Sequence, residues 1–133
     1  GSICEVVDPL NPADPILSRL STSVLLIWIK GSEAHTAELI RRFDRAPKPM
    51  YYHPAFLHAA WEQYLRQTGQ AEDTVDPDAF VRWTYARALA HRQPRYHAMA
   101  EKWGVTVTAE EVARVASTAD FETLIARALA ARH

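Results

Sequence analysis

The sequence predicts a helix-rich α/β fold in which helices flank a partial parallel sheet of two or three strands. Apolar runs of strand length are few, and the longest, residues 24–29 (VLLIWI), is typical of a strand buried on both faces of a parallel sheet. Most of the remaining chain carries apolar residues at helical spacing. The length of 133 residues suits one core, so we expect residues 1–133 to form a single layered domain.

Three short segments are the predicted strands. Besides residues 24–29, they are residues 3–7 (ICEVV), closed by Asp8-Pro9, and residues 105–107 (VTV). Three strands are too few to cover the predicted helical faces, which indicates that part of the sheet is missing. Because unpaired strand edges invite partners, we expect self-association or a covering segment beside residues 24–29.

Caps, prolines and glycines set the predicted helix boundaries. Ser32 caps one helix, Pro54 opens another that ends at Gly69, and Pro94 is expected to separate two helices. Thr108 begins a capping box. In chain order, the predicted helices cover residues 14–20, 33–45, 54–68, 77–91, 94–102 and 120–133, and a further helix starts at the capping box of residues 108–111.

Composition excludes several functional classes. A formal net charge of −1 gives no overall attraction to nucleic acid or to a membrane surface. No apolar run is long enough to span a bilayer and no secretory signal pattern is present, so we expect a cytoplasmic protein. The single cysteine, Cys4, excludes an internal disulfide and a cysteine-based metal site, and its apolar neighbours predict burial. Twelve of the 15 basic residues are Arg, which favours an anion site, although a high-GC genome produces the same bias.

Residues 92–107 (RQPRYHAMAEKWGVTV) carry the most informative motif. The pattern Arg92-x-Pro94-x-Tyr96 is followed by Ala100 and then by a short predicted strand. It resembles the back half of shikimate-kinase-like and adenylate-kinase-like P-loop kinases, in which an arginine-led helix precedes the final strand and a C-terminal helix.

Two upstream segments extend the resemblance. Residues 24–49 (VLLIWIKGSEAHTAELIRRFDRAPKP) are similar to the strand–helix unit of these kinases, with "PKP" opening the lid. Residues 1–20 are similar to the stretch after their second sheet strand, where relatives read "TGS"; the alternative for Gly1-Ser2 is the scar of a protease cleavage site. The resemblance implies a three-layer P-loop-kinase-like fold, with residues 1–46 as the strand–helix part of the core, 47–91 as a lid-like helical segment and 92–133 as a helix–strand–helix unit.

The activity that the resemblance implies is ATP-dependent phosphoryl transfer to a small anionic acceptor, with ATP and Mg²⁺ as cofactors. The chain departs from these kinases at the phosphate loop, because none of its four glycines belongs to G-x-x-x-x-G-K-[ST]. We therefore expect nucleotide binding and catalysis only where a P-loop segment or a partner chain completes the protein. No catalytic residue is assigned to this chain.

Four cationic side chains are the candidate substrate-binding residues. Arg92 matches the arginine that pairs with the acceptor's anionic group in the resembled kinases, a role that suits the fork of a guanidinium. Its alternative role is a cation at the C-terminus of the preceding helix. Arg82 and Arg87, together with Arg95, fit either a lid that closes on phosphates or a solvated helix face. Lys48 lies at the predicted mouth of the lid, or else is a charged loop residue.

Histidines and aromatic residues leave a second hypothesis open. The histidine pairs 53/58 and 91/97 lack the i, i+4 spacing that places two imidazoles on one helix face, so no metal site is predicted. Many aromatic residues lie between positions 51 and 85. We expect their side chains in the core; the alternative is that they form a surface on which a nucleic-acid base stacks. This aromatic, helical stretch and the missing phosphate loop favour a non-catalytic, mainly helical protein-binding module.

Overall fold

The computed structural model describes residues 3–132, and the interpretation of Gly1-Ser2 lies outside them. Two parallel strands and six α-helices make up the described chain, with 3-10 turns at Ile3–Glu5 and Glu72–Thr74. The predicted helix-rich α/β fold with a partial parallel sheet is confirmed at this level. In chain order, the elements are α1 (Pro15–Leu20), β1 (Leu26–Lys30), α2 (Glu33–Arg45), α3 (Pro54–Thr68), α4 (Pro77–Trp103), β2 (Gly104–Thr108), α5 (Ala109–Ala113) and α6 (Thr118–Ala130).

Strands β1 and β2 lie side by side in parallel, from Leu26 opposite Gly104 to Lys30 opposite Thr108. The connection between them runs through α2, α3 and α4, since parallel strands require a long crossover. Gly104 permits the close approach of the strands, because a Cβ on it would lie 2.1 Å from the carbonyl oxygen of Leu26. The strand predicted at residues 105–107 is confirmed within β2.

Helix α4 is the element against which most of the fold assembles. It contacts both strands, α2 and the N-terminal 3-10 turn. On the sheet side, the Trp28 ring lies near Tyr96 and His97, with ring centroids 6.3 and 6.1 Å apart. On another side, Phe43 of α2 stacks on Tyr85 with ring centroids 4.1 Å apart. The orientation of α4 therefore fixes the relative positions of the sheet, α2 and the N-terminus.

Aromatic side chains join α3 to α4. Trp61 and Tyr64 of α3 meet the Phe80 ring edge to face, at centroid distances of 4.9 and 5.3 Å. The hydroxyl of Tyr52, just before α3, lies 2.7 Å from the hydroxyl of Thr84, and burial raises the pKa of this tyrosine. Tyr52, Tyr64 and Phe80 are buried, so their predicted place in the core is confirmed.

The helix break predicted at Pro94 is wrong. Helix α4 continues through Pro94 to Trp103 and has 27 residues. A proline inside a helix removes one backbone hydrogen bond and crowds the preceding turn. Buried side chains on both sides of it, such as Ala88 and Met99, nevertheless keep the two halves in line within the core. Tertiary packing outweighs the local signal, and the helix ends only at Gly104.

The prediction of a strand at residues 3–7 is also wrong, because Ile3–Glu5 forms a 3-10 turn. Ile3, Cys4 and Val7 all contact one core cluster formed with side chains of α1 and α4. A turn places residues of this spacing on one side, whereas a strand would point successive residues to opposite faces. The predicted burial of Cys4 is confirmed.

The strand predicted at residues 24–29 forms as Leu26–Lys30, but it is not buried on both faces. Ile29 is 51% exposed, although Val107, opposite it on β2, is 1% exposed. The two apolar residues before the strand are exposed too. Within residues 3–132 only β2 pairs with β1, so apolar side chains of β1 lie beside solvent.

The predicted caps are confirmed. The Ser32 hydroxyl accepts a hydrogen bond from the backbone N–H of His35 at 3.3 Å. Gly69 ends α3 in the left-handed region at φ 66°. Thr108 and Glu111 form a reciprocal capping box, with distances of 3.1 Å from the Glu111 N–H to the hydroxyl and 2.8 Å from the Thr108 N–H to the carboxylate. Helix α6 begins slightly earlier than predicted.

Replacing Gly104 with alanine is expected to lower the free energy of unfolding by about 1–3 kcal/mol, the scale of overpacking a filled interior. The reason is that the new Cβ would collide with the backbone oxygen of Leu26, which cannot move without disturbing the β1–β2 pairing. Urea denaturation measures the change. The exposed Thr106→Val variant on the same strand is the control, and equal stability of the two variants would contradict this account.

Candidate functional site

A cleft of about 330 Å³ opens between the N-terminal turn, the start of α3 and the middle of α4. Its volume lies near the lower end of the range found for small-molecule sites, about 300–1,000 Å³. We call it the Arg92 cleft. Its polar lining consists of Glu5, Asp8, His53, His91, Arg92 and Arg95, and the Phe56 ring contributes an apolar wall.

Arg92, the first candidate residue, forms a partly buried ion pair with Glu5. Its Nη2 and Nε donate to the same carboxylate oxygen, Oε1, at 2.8 and 3.2 Å. The two side chains are only 13% and 7% exposed. Moving two charges out of water costs free energy. Their mutual attraction offsets this cost only where the geometry of the pair is good. Arg92 does not cap a helix end, because α4 runs on to Trp103.

The guanidinium of Arg92 is only partly engaged. The side-on edge, formed by Nε and Nη2, faces Glu5, and Nη2 also lies 3.5 Å from the carbonyl oxygen of Tyr51. Arginine has five N–H donors in a rigid fork. Among the hydrogen bonds of residues 3–132, none uses Nη1 of Arg92. A second oxygen ligand can therefore bind Arg92 without displacing Glu5.

Two imidazoles border the cleft from different elements. His53 is the N-cap of α3, where its Nδ1 accepts a hydrogen bond from the Ala55 N–H at 3.3 Å. The His91 ring lies on α4 with its centroid 4.7 Å from that of Phe56. Burial, followed by the nearby charge of Arg95, lowers the pKa of His91 below its ordinary value of 6.5. His91 is accordingly neutral at neutral pH and gains charge only on acidification.

The rim of the cleft is held by a carboxylate that does not line it. Asp14, only 6% exposed, accepts hydrogen bonds from the backbone N–H groups of Leu17 at 2.8 Å and Asp8 at 2.9 Å. These bonds, first that of Leu17 and then that of Asp8, lower the pKa of Asp14. On the opposite wall, Nη1 of Arg95 donates to the His91 carbonyl at 3.0 Å. Both sides of the cleft are thus fixed by hydrogen bonds to the backbone.

The other predicted site residues lie outside the cleft. Nε of Arg82 donates to the carbonyl oxygen of Asp44 at 3.0 Å, near the end of α2. Arg87 lies over the Trp83 ring, with its guanidinium carbon 3.6 Å from the ring centroid, in a cation–π contact. Lys48 is exposed on the loop before α3. The structure places Arg95 beside Arg92 in the cleft. The binding role predicted for Arg82, Arg87 and Lys48, which lie outside the cleft, stays a prediction.

Sequence reasoning missed Glu5, Asp8, His53 and His91 as members of one site. The His53-Pro54 pair did contain a signal, because a capping residue often precedes a proline at the start of a helix. No local pattern indicates that Glu5 meets Arg92, which lies 87 positions further along the chain.

A serine–histidine–glutamate contact at the ends of the strands is not a catalytic relay. The Ser32 hydroxyl and a Glu110 carboxylate oxygen lie 2.8 and 3.6 Å from the same ring atom, Nδ1 of His35. A relay needs the nucleophilic hydroxyl and the orienting carboxylate on opposite nitrogens of the imidazole, which is the base. Across the described part of the chain, no group of three or more His, Cys, Asp or Glu side chains is placed to hold a metal ion. Residues 3–132 also contain no helix long and apolar enough to cross a membrane.

Truncating Arg92 to methionine is expected to lower the free energy of unfolding by about 3–5 kcal/mol, because the Glu5 carboxylate would stay buried without its cation. Adding Glu5→Gln removes that stranded charge, so the double variant is expected to be more stable than Arg92→Met alone. Urea denaturation of the two single variants and the double variant completes the cycle. Exposed Arg41→Met on α2 is the control, with a change below about 1 kcal/mol. Additive effects of the two substitutions would show that the pair is not coupled.

Comparisons of the chain with models of protein families, with curated proteins and with solved structures found no match. The likeness to P-loop kinases therefore stays a resemblance carried by the motif around Arg92 and the segments upstream of it. The geometry of the Arg92 cleft is the observation on which a functional conclusion depends.

Proposed function

We propose that this chain binds a small anionic ligand in the Arg92 cleft and is the acceptor-binding part of an ATP-dependent small-molecule kinase or related P-loop protein. The observation that carries the proposal is the partly buried Arg92, already oriented by Glu5, lining a cleft of suitable volume together with Arg95 and two imidazoles. Among the described residues, no buried side-chain nitrogen or oxygen lacks a hydrogen-bond partner. Nη1 of Arg92, which makes no hydrogen bond with these residues, is therefore open to the solvent of the cleft and accessible to a ligand.

The charge balance of the cleft favours a small ligand with little charge. Two guanidiniums and two carboxylates line it, and His91 is neutral at neutral pH. The formal charges cancel, so the attraction for an anion comes from local donors such as Nη1 of Arg92 and the remaining N–H groups of Arg95. A single carboxylate or phosphate group matches a guanidinium fork. A polyphosphate would need more positive charge than the cleft has.

The fold supports the kinase-like part of the proposal at the level of architecture. Two adjacent parallel strands with a helical crossover are a fragment of the layered α/β arrangement. All-parallel sheets are normally covered on both faces, whereas β1 leaves Ile29 beside solvent. In the three-layer P-loop-kinase-like arrangement that we propose, further strands from another segment or a partner chain cover β1.

The residues of this chain do not fit ATP and Mg²⁺. The sequence has no phosphate loop, and the described residues offer no carboxylate cluster for a metal ion. We assign no phosphoryl-transfer step to them. Under this proposal the nucleotide binds to the completing segment or partner, and this chain contributes the acceptor site.

A protein-binding module is the second candidate function. A shallow groove of about 470 Å³ beside α3 is lined mainly by apolar groups, including exposed Tyr51 and Leu57 and the Trp61 ring. Aromatic side chains of this kind are enriched in protein interfaces. Titration with sulfate by calorimetry discriminates the two functions, because the proposed acceptor site binds this anion, whereas a module that binds only proteins has no site for it.

Replacing Arg92 with lysine is expected to weaken binding of inorganic sulfate by roughly 10- to 100-fold, the scale of one charge-assisted hydrogen-bond pair. Lysine keeps the charge but has a single nitrogen, so it cannot hold Glu5 through two nitrogens and present a third nitrogen to the anion. Calorimetric titration measures the affinity, and thermal melting measures stability. Arg41→Lys is the matched control on the exposed face of α2. An unchanged sulfate affinity with a lowered Tm would reduce Arg92 to a structural role.

Sulfate affinity is expected to rise as the pH falls below about 6.5, because protonation of His91 adds a positive charge to the cleft. The sign follows from linkage: burial lowers the pKa of His91 in the free protein, and a bound anion raises it again, so acidification favours the complex. The charge of sulfate itself is constant over this range. His91→Gln, neutral throughout, is expected to remove this part of the pH dependence, and an unaltered profile would exclude His91 as its source.

The uncovered side of β1 predicts that the chain self-associates when it is studied alone. Light scattering measures the mass in solution, and Ile29→Lys is expected to shift the population towards monomer. A monodisperse wild-type monomer that melts cooperatively would contradict this prediction.

A further inference from the structure

Glu5 makes a contact with Arg92 that engages two nitrogens of one guanidinium. Its carboxylate is 7% exposed and uses one oxygen, Oε1, to accept hydrogen bonds from both Nε and Nη2 of Arg92. The contact covers the side-on edge of the guanidinium. The planar group is thereby held in one orientation, since rotation about the last side-chain bonds would break both hydrogen bonds.

Glu5 is itself held in place by the backbone that carries it. The neighbouring Cys4 side chain is buried in the core cluster with Met99 and Trp103 of α4. The N–H of Val6 donates to the Ile3 carbonyl at 3.0 Å and closes the turn. The carboxylate therefore extends from a fixed point towards Arg92 of α4.

Two roles for Glu5 are physically distinct. As a competitor, it would occupy Arg92 until an anionic ligand displaced it. As a positioning residue, it would stay bound and aim the rest of the guanidinium at the ligand. Displacement would strand a carboxylate in the interior without a cation, which is strongly unfavourable. In addition, Nη1 makes no hydrogen bond with the described residues, so a ligand has a donor available without displacement.

We propose that Glu5 is a positioning residue of the anion site: it holds Arg92 side-on through Nε and Nη2 and leaves Nη1 to bind the anionic group of the ligand. This inference rests on the proposed anion-binding function of the Arg92 cleft. It assigns to the N-terminal turn a part in ligand binding that neither the sequence motif nor the resemblance indicates.

Sulfate titration of Glu5→Gln tests the inference through the direction of the effect. Removing a negative charge beside the site should strengthen anion binding if charge alone matters or if Glu5 competes with the ligand. A positioning role predicts the reverse, a loss of roughly tenfold, because a glutamine amide cannot hold the guanidinium as firmly. Asp8→Asn is the matched control: it removes a charge from the same cleft without touching Arg92, and it is expected to strengthen binding.

The double variant Glu5→Gln/Arg92→Lys provides a second readout. Since Glu5 acts through Arg92, this variant is expected to bind sulfate no more weakly than Arg92→Lys alone. Unchanged or tighter binding by Glu5→Gln would overturn the positioning role while leaving the anion site intact. Failure of the wild-type chain to bind sulfate at all would instead overturn the proposed function, and the positioning role with it.

An NMR measurement on the wild-type protein keeps the test independent of whether the variants fold. With Glu5 as a positioning residue, the Nε–H resonance of Arg92 is expected to keep its chemical shift and slow solvent exchange as sulfate is added, while the Nη signals move. A sulfate-induced change to fast exchange at Nε–H would show that the ligand displaces Glu5, and would overturn the inference.

Discussion

A partly buried ion pair between Glu5 and Arg92 joins the N-terminal turn to α4, and the wall of the cleft that this turn forms depends on it. Desolvation offsets much of the attraction in such pairs, so the contribution of this one is better described as specificity than as stability. Only one placement of the turn brings a single carboxylate oxygen to both Nε and Nη2. That placement also sets Asp8 at the rim, where its N–H meets the buried Asp14 carboxylate. One contact thus organises a wall of the cleft.

The opposite wall depends on the continuity of α4. His91 and Arg95 are four residues apart and lie on one helix face, with Arg92 beside them. A break at Pro94 would turn Arg95 away from the other two, and the cleft would lose one of its two guanidiniums. The helix remains whole because Met99 and its neighbours bury their side chains in the core on the far side of the proline. Core packing at one end of α4 is therefore what permits the cleft beside its middle.

The structural features that could be predicted from the sequence are those that depend on interactions between residues close together in the chain. The caps at Ser32, Gly69 and Thr108 were predictable because a side chain or a missing Cβ satisfies the backbone within one turn. The strand at residues 105–107 was predictable from its apolar, β-branched pattern. Strand and helix signals failed at residues 3–7 and at Pro94, where distant side chains decide the outcome. The Glu5–Arg92 contact joins positions 87 residues apart, and no local pattern encodes it.

The motif predicts Arg92 as a binding residue, and the structure shows that its charge is already paired with Glu5. With Glu5 bound, Arg92 adds donors to the cleft and almost no net charge, and the formal charges of Asp8 and Arg95, which also line the cleft, sum to zero. The anion site that we propose would recognise the shape and hydrogen-bonding capacity of one anionic group, because the formal charges around it cancel and leave little long-range attraction. A nucleotide triphosphate requires the opposite, a concentration of positive charge and backbone N–H groups around several phosphates. The balanced charges of the cleft and the absence of a phosphate loop from this sequence thus support the same division of roles, with the acceptor bound here and the nucleotide bound by whatever covers the apolar side of β1.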